Sequence, residues 1–200
     1  YLVMTESIVI SPGRIIEEIG EEIQSGNITH SLNKPYNYIL FKYASSLGQT
    51  LFRFVITFGV GSLVALIFMG TIDISVATIP FILLSVILAL TLHFCMMACL
   101  GIFAFWLEDA KAMHFVYQKI VFVFGGMLVP LEIFPTFLEQ ISKALPFSYV
   151  AYYPARLWVK FDWSLLWNVI VKQVIWISLF ILIITVLYKI SIRKISIHGG

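Results

Sequence analysis

Four long apolar runs dominate the sequence, and each can cross the hydrocarbon core of a bilayer as a helix, which takes about 20 residues. The chain is 60% hydrophobic and only 12% charged over its 200 residues, whereas soluble domains carry roughly 25% charged residues. Strands of a membrane barrel would alternate polar and apolar residues, and these runs do not alternate. The sequence therefore predicts an all-α polytopic membrane protein with four complete spans, at residues 51–72, 79–106, 115–134 and 165–188.

The segments beside these runs complete a single transmembrane domain over residues 1–200. We interpret residues 1–10 as the end of an earlier span, residues 12–50 as a cytoplasmic segment and residues 189–200 as a cytoplasmic tail. Residues 134–164 are rich in proline and aromatic side chains, too apolar for a free loop and too interrupted for a span. Irregular backbone near a membrane has to pack inside protein, so this stretch predicts a re-entrant helical segment on the outer side.

Lysine and arginine favour one side of the predicted spans, and cytoplasmic loops carry the excess of these residues. With the segment before the first span in the cytoplasm, the outer side holds only Lys143, Arg156 and Lys160. Tyrosine and tryptophan cluster at the outer end of the last span, as in an interfacial aromatic belt. We therefore predict a multi-pass protein of the cell membrane with both ends at the cytoplasmic face. The cytoplasmic side holds Arg14, Lys34, Lys42, Arg53, Lys111, Lys119, Lys189, Arg193 and Lys194.

Residues 12–50 begin with a short amphipathic helix, which Ser25, Gly26 and Asn27 end. Membrane-binding helices are usually basic, and the acidic face of this one gains nothing from an anionic leaflet. Two interpretations stay open: the isoleucines dock in a groove of a partner protein, or they rest on the bilayer or neighbouring spans with the glutamates in water. The isoleucines are Ile15, Ile16, Ile19 and Ile23, and the glutamates are Glu17, Glu18, Glu21 and Glu22.

Polar side chains interrupt the last apolar run. Lys172 lies about 10 Å into the predicted span, at 1.5 Å per residue. Its long side chain can snorkel to the interface or pair with Glu132 or Asp162. Gln173 and Asn168 predict hydrogen bonds between helices.

Neither a metal site nor enzymatic chemistry is predicted. His93, Cys95 and Cys99, with two methionines between them, offer ligands that suit Cu(I). However, His93 points away from Cys95, and buried cysteine is common in apolar interiors. The sequence has no Walker-type glycine loop, no Gly-x-Ser-x-Gly and no His-Glu-x-x-His. With a net charge of +2 and no basic cluster, we expect no cofactor, no enzyme activity and no nucleic-acid partner.

Three stretches resemble type-2 ABC permeases. Residues 24–28 and 32–35 (Gln-Ser-Gly-Asn-Ile and Leu-Asn-Lys-Pro) are similar to the segment between the second and third spans of that family. Residues 125–135 (Gly-Gly-Met-Leu-Val-Pro-Leu-Glu-Ile-Phe-Pro) resemble the exit of its fifth span, and residues 145–156 its outer re-entrant helices. The likeness covers most of residues 14–160 and points to the uncharacterised branch with paired, non-identical subunits. The family has six spans, so the resemblance implies a further N-terminal part.

The resemblance implies a permease subunit of an ATP-binding-cassette exporter for an apolar or amphipathic substrate. Its partners would be a separate ATPase subunit, a second permease subunit in a homo- or heterodimer, and membrane lipid. It also implies two sets of site residues. The ATPase-contacting set is Glu17, Glu18, Glu21, Glu22, Gly26, Asn27, Lys34 and Pro35, and the outer gate is Gly125, Gly126, Pro130, Pro135, Pro146, Tyr149, Pro154 and Arg156.

The alternative function is a secondary transporter or channel subunit without an ATPase partner. Ion coupling needs acidic or polar groups near the middle of the membrane. The predicted spans offer only His93 and Lys172 and no deep carboxylate, which favours the exporter.

Overall fold

A computed structural model describes residues 1–27, 35, 37–70, 75–103, 110–127 and 129–198, with the backbone alone for residues 69 and 192–198. This part of the chain is helical throughout and contains no strand, which confirms the predicted all-α class. Lys34 of the predicted ATPase-contacting set lies outside the described residues.

The helices follow one another along the chain with short connections. Two one-turn 3-10 helices, Val76–Thr78 and Leu131–Ile133, precede the fourth and sixth α-helices. The α-helices are α1 (Leu2–Ile10), α2 (Ile15–Gln24), α3 (Tyr38–Met69), α4 (Ile79–Ile102), α5 (Ala110–Phe124), α6 (Thr136–Ala144), α7 (Pro146–Val150), α8 (Tyr152–Val159) and α9 (Trp163–His198).

Side-chain caps set the start of the two longest helices. The Asn37 side-chain oxygen accepts a hydrogen bond from the backbone N–H of Leu40 at 3.1 Å, which begins α3. Before α9, the Asp162 carboxylate accepts from the N–H of Leu165 at 2.7 Å. Each cap satisfies a backbone donor that a helix start leaves without a partner.

Among the described residues, three helical stretches are long and apolar enough to cross a membrane. They are Tyr38–Phe68, Val76–Ile102 and Trp163–Ser191, with mean hydropathies of 2.2, 2.4 and 2.5. The first predicted span is therefore only the second half of a longer helix, α3, that starts well before it.

The third predicted span, residues 115–134, is not one continuous helix. Its helical part is α5, whose 15 residues extend over about 22 Å, less than the roughly 30 Å of a bilayer core. The chain leaves the helix at Gly125 and continues through the 3-10 turn. Three helices among the described residues thus have spanning length, and two glycines and a proline interrupt the remaining predicted span.

The α4 helix is the centre of the fold. The α9 helix packs along it, and α2, α3, α7 and α8 also contact it. Near one end, Gly101 of α4 meets Ile19 of α2. Near the other, Ser85 is bonded to Gln173 of α9, which also bonds α7. Since these two contacts lie about 24 Å apart along α4, α2 and the α6–α8 segment occupy opposite ends of the molecule.

Candidate functional site

The isoleucine face of α2 is buried inside the chain. Ile15, Ile16 and Ile19 are 3%, 0% and 0% exposed, and α2 packs on α4 and α5. A Cβ atom at Gly101 would lie 3.0 Å from the Cβ of Ile19, so glycine allows α2 to lie directly on α4. Of the two interpretations of these isoleucines, the structure has the one in which they rest on neighbouring helices.

Two of the α2 glutamates join α2 to α3. The Glu22 carboxylate lies 2.6 Å from the Lys42 ammonium and accepts a hydrogen bond from the Tyr38 hydroxyl at 2.7 Å. Glu18 lies 3.7 Å from the same ammonium. Because Lys42 is only 14% exposed, this charge cluster is partly screened from solvent and holds α2 against the start of the long helix.

A third glutamate faces α5. The Glu17 carboxylate lies 4.0 Å from Nδ1 of His114 and 3.4 Å from Arg14. A nitrogen–nitrogen hydrogen bond of 2.8 Å links His114 to Gln118, one turn further along α5. The α2 helix therefore has separate contacts with α3, α4 and α5.

One edge of α2 remains exposed. It consists of Glu21 and the turn that follows the helix, Ser25, Gly26 and Asn27, and we call these four residues the arm rim. Pro35 is exposed as well. Of the predicted ATPase-contacting residues that the structure describes, Glu21, Gly26, Asn27 and Pro35 are exposed. Glu17, Glu18 and Glu22 face neighbouring helices.

The outer segment begins where α5 ends. Gly126 has a φ of +64°, a conformation that favours glycine, and a Cβ atom there would lie 3.0 Å from Leu131. Its carbonyl accepts a hydrogen bond from the Tyr1 hydroxyl. The turn at Gly126, one of the predicted outer-gate residues, therefore lies against Leu131 and Tyr1.

Proline organises the helices of the outer segment. Pro130 and Pro135 directly precede the 3-10 turn and α6. Pro146 is the first residue of α7, and Pro154 lies in the first turn of α8. These are positions where the missing N–H leaves no helical bond unmade. Tyr149 of α7 is buried and stacks on Tyr153, with ring centroids 4.7 Å apart.

A charged cluster ties the 3-10 turn to α8. Arg156 lies 2.8 Å from the Glu132 carboxylate, and its guanidinium donates to the Tyr152 hydroxyl at 2.6 Å, which in turn donates to Glu132. Burial raises the pKa of the Glu132 carboxyl, but the Tyr152 hydroxyl and Arg156 outweigh burial and hold that pKa below its ordinary value.

Lys172 has neither of the partners considered from the sequence. Glu132 is paired with Arg156, and Asp162 caps α9. The Lys172 side chain lies on the exposed face of α9, a position from which its long stem can snorkel toward the interface.

Gln173 joins three helices, as the sequence predicted for an amide in the last span. It is fully buried, and its amide donates to the backbone carbonyls of Ser85 in α4 and Tyr149 in α7, each at 3.0 Å. Asn168, in contrast, lies on the exposed face. The Gln173 side chain therefore bonds α7 of the outer segment and α4 to α9, in addition to the packing of α7 and α8 on α4.

Replacing Gln173 with leucine should loosen the outer segment, because both hydrogen bonds are lost while the side-chain volume is kept. Polar contacts between membrane helices contribute on average about 0.6 kcal/mol and at most about 1.7, so we expect about 1 kcal/mol. The measurement is the free energy of unfolding in detergent. Asn168→Leu is the matched control and should leave the free energy of unfolding unchanged. Equal effects of both substitutions would show that the hydrogen bonds of Gln173 do not stabilise the attachment of the outer segment.

The contacts with α2 that were not predicted from the sequence are those of Tyr38, Lys42, Gly101 and His114. Lys42 is 20 positions from Glu22, and no local pattern relates two residues so far apart. The one available signal was at Gly101, a glycine near the end of a run of bulky apolar residues, where close approach of another backbone is a common reason for glycine.

Comparison with known protein families covers nearly the whole chain. A family model described as "ABC-2 family transporter protein" matches residues 1–199. Neither a curated protein nor a solved structure matches the chain. The family match covers both α2 and the outer segment, confirms the resemblance to type-2 ABC permeases, and identifies a multi-pass membrane permease of an ABC transporter. The chain belongs to the ABC-2 family of transporter proteins.

Proposed function

We propose that this chain is the membrane-spanning subunit of an ATP-driven exporter and that a separate ATPase subunit contacts it at the arm rim. The observation that carries the proposal is the position of α2. Its buried face contacts α3, α4 and α5, while the arm rim at its other edge is exposed. A displacement of the arm rim by a partner would therefore be transmitted to α3, α4 and α5 through these contacts.

Each of these contacts would transmit a movement of α2 to a different helix. Ile19 contacts Gly101 of α4, and Glu22 is paired with Lys42 of α3. Because packed side chains resist compression, displacement of α2 moves the attached helices rather than deforming the contact. The chain needs no ATPase activity of its own if a partner subunit displaces α2 when it binds and hydrolyses ATP.

The substrate path would lie between two permease subunits. One face of α3 supports this placement, since its apolar side chains Phe52, Val55, Val60, Leu63 and Ile67 are all exposed in the single chain. In a membrane such a face contacts lipid or another helix. The outer segment would close the path with its aromatic surface, which suits an apolar or amphipathic substrate. The C-terminal ends of α1 and α9 would lie at the cytoplasmic face, whereas Tyr1 at the start of α1 contacts the outer segment.

Charge reversal at the arm rim tests the ATPase contact. The substitution Glu21→Lys changes an exposed glutamate, so the fold of the chain should survive. We expect the ATP hydrolysis that co-purifies with the tagged chain in mild detergent to fall at least about tenfold, equivalent to 1.4 kcal/mol of contact energy. The measurement is ATP hydrolysis per mole of purified chain.

Glu139→Lys is the matched control, because it makes the same charge change in α6, in the outer segment. It should leave the co-purifying hydrolysis unchanged. If the wild-type assembly carries no ATP-hydrolysing subunit and still moves substrate in vesicles, the ATP-driven mechanism is wrong and an ion-coupled transporter takes its place. If Glu21→Lys retains full hydrolysis, the ATPase does not contact the arm rim.

A further inference from the structure

A cavity of about 380 Å³ lies where the end of α1 and the start of α2 meet α3, α4 and α5. Pockets for small ligands commonly measure roughly 300–1,000 Å³. One part of the wall is apolar, with Met97 and Phe122 among its residues. The other part carries polar and positively charged side chains. We call this space the basic cavity, and its polar wall is formed by Arg14, Arg53, Lys119, His93, His114, Tyr117 and Gln118.

The charges of the basic cavity are not balanced by carboxylates. Among the described residues, neither Arg53 nor Lys119 has an acidic partner, and Lys119 lies instead over the ring of Phe115 at 5.1 Å. Arg14 is paired with Glu17 at 3.4 Å. Glu18 pairs with Lys42, and its carboxylate also lies beside the cavity wall, 3.7 Å from where a Cβ atom of Gly13 would stand. In the described part of the chain, Arg53 and Lys119 are therefore exposed cations without an ion-pair partner.

Of the three wall residues that carry a buried polar atom without a hydrogen-bond partner, His114 has the Glu17 carboxylate 4.0 Å away, and the other two have no such neighbour among the described residues. His93 and Tyr117 are 3% and 4% exposed, and in the described part of the chain neither Nδ1 of His93 nor the hydroxyl of Tyr117 has a hydrogen-bond partner. Buried polar atoms in native proteins are nearly always satisfied, and an orphan calls for an explanation such as a ligand. Both residues line the same cavity as the unpaired cations, so one ligand accounts for both observations.

We propose that the basic cavity binds the phosphate-type headgroup of an anionic amphiphile. Arg53 and Lys119 would neutralise the anion through charge-assisted hydrogen bonds, and the Tyr117 hydroxyl would donate to it. The apolar wall beside the cations would hold the hydrophobic part of the same molecule. This site is separate from the arm rim and does not depend on contact with an ATPase.

The test is retention of lipid by the full chain, purified with its accompanying subunits and reconstituted in phosphatidylcholine nanodiscs. Short-chain phosphatidylglycerol is titrated in, and bound lipid is counted by native mass spectrometry. We expect the Arg53→Gln/Lys119→Gln variant to bind phosphatidylglycerol about a hundredfold more weakly, at about tenfold for each charge-assisted bond removed. Phosphatidylcholine binding should not change.

Lys172→Gln is the matched control, since it removes a membrane-exposed lysine that lines no cavity, and it should bind phosphatidylglycerol like the wild type. Competition by inorganic phosphate would identify a soluble phosphate compound as the natural source of the anion, whereas failure to compete would identify a lipid. Thermal melting of the double variant shows whether it is folded. If the folded double variant retains phosphatidylglycerol as well as the wild type, or if Lys172→Gln weakens its binding as much as the double variant does, the proposal is overturned.

Discussion

Replacing Gly101 with leucine should separate α2 from α4 and disconnect the arm rim from the centre of the fold. Ile19 already lies within 3.0 Å of where the first side-chain atom would stand, and a leucine adds three carbons beyond that atom. Overpacking of this kind costs about 1–3 kcal/mol. Since α2 is a ten-residue helix on the outside of the core, its displacement offers the easiest relief of the clash, and the long helices should remain in place.

Thiol labelling measures this displacement directly. In a background with Cys95 and Cys99 replaced by alanine, a cysteine at Ile19 should be protected from a water-soluble reagent, because Ile19 is fully buried. With Gly101→Leu it should react at least about tenfold faster. Gly59→Leu is the matched control, since a side chain at Gly59 meets no atom within 4 Å. Unchanged labelling in Gly101→Leu would mean that the contact between α2 and α4 is not what holds α2.

The presence and the approximate ends of α2 could be predicted from the sequence, but the surface against which α2 packs could not. Isoleucine at a helical spacing and a Ser-Gly turn mark a helix, and the structure has it at Ile15–Gln24. The same pattern fits a groove in another protein, a membrane surface or a helix of the same chain. What decides among these is the shape of the opposing surface, and that surface depends on Gly101, far away in the sequence.

In the third apolar run, hydropathy alone does not predict where the helix ends. Its composition resembles that of the other spans, but the helix stops at Phe124, because the two glycines that follow permit a turn that other residues resist. In the outer segment the prolines lie at or just before helix starts, although the sequence predicted only that this segment is helical. The pairing of Glu132 with Arg156 was not predictable, because it depends on how the 3-10 turn and α8 approach each other in space.

Reversing the charge of Glu22 should loosen α2 from α3, and reversing Lys42 as well should restore the contact. Glu22→Lys replaces a 2.6 Å ion pair with two facing ammonium groups and removes the acceptor of the Tyr38 hydroxyl. Charge-assisted bonds contribute roughly 1.5–3 kcal/mol, reduced here because Glu22 is 29% exposed. We expect each single reversal to lower the free energy of unfolding by about 1–2 kcal/mol.

The double reversal Glu22→Lys/Lys42→Glu should recover most of that loss, since opposite charges face each other again. The measurement is a double-mutant cycle on the free energy of unfolding, with the co-purifying ATP hydrolysis as a second readout. Glu139 and Lys143 form a pair within α6, so exchanging them is the matched control and should change neither quantity. Additive effects of Glu22→Lys and Lys42→Glu would mean that the pair does not join α2 to α3. Recovery of stability without recovery of ATP hydrolysis would mean that the ATPase depends on the charges at positions 22 and 42 themselves and not on the contact between α2 and α3, because the contact between Ile19 and Gly101 is unchanged in all three variants.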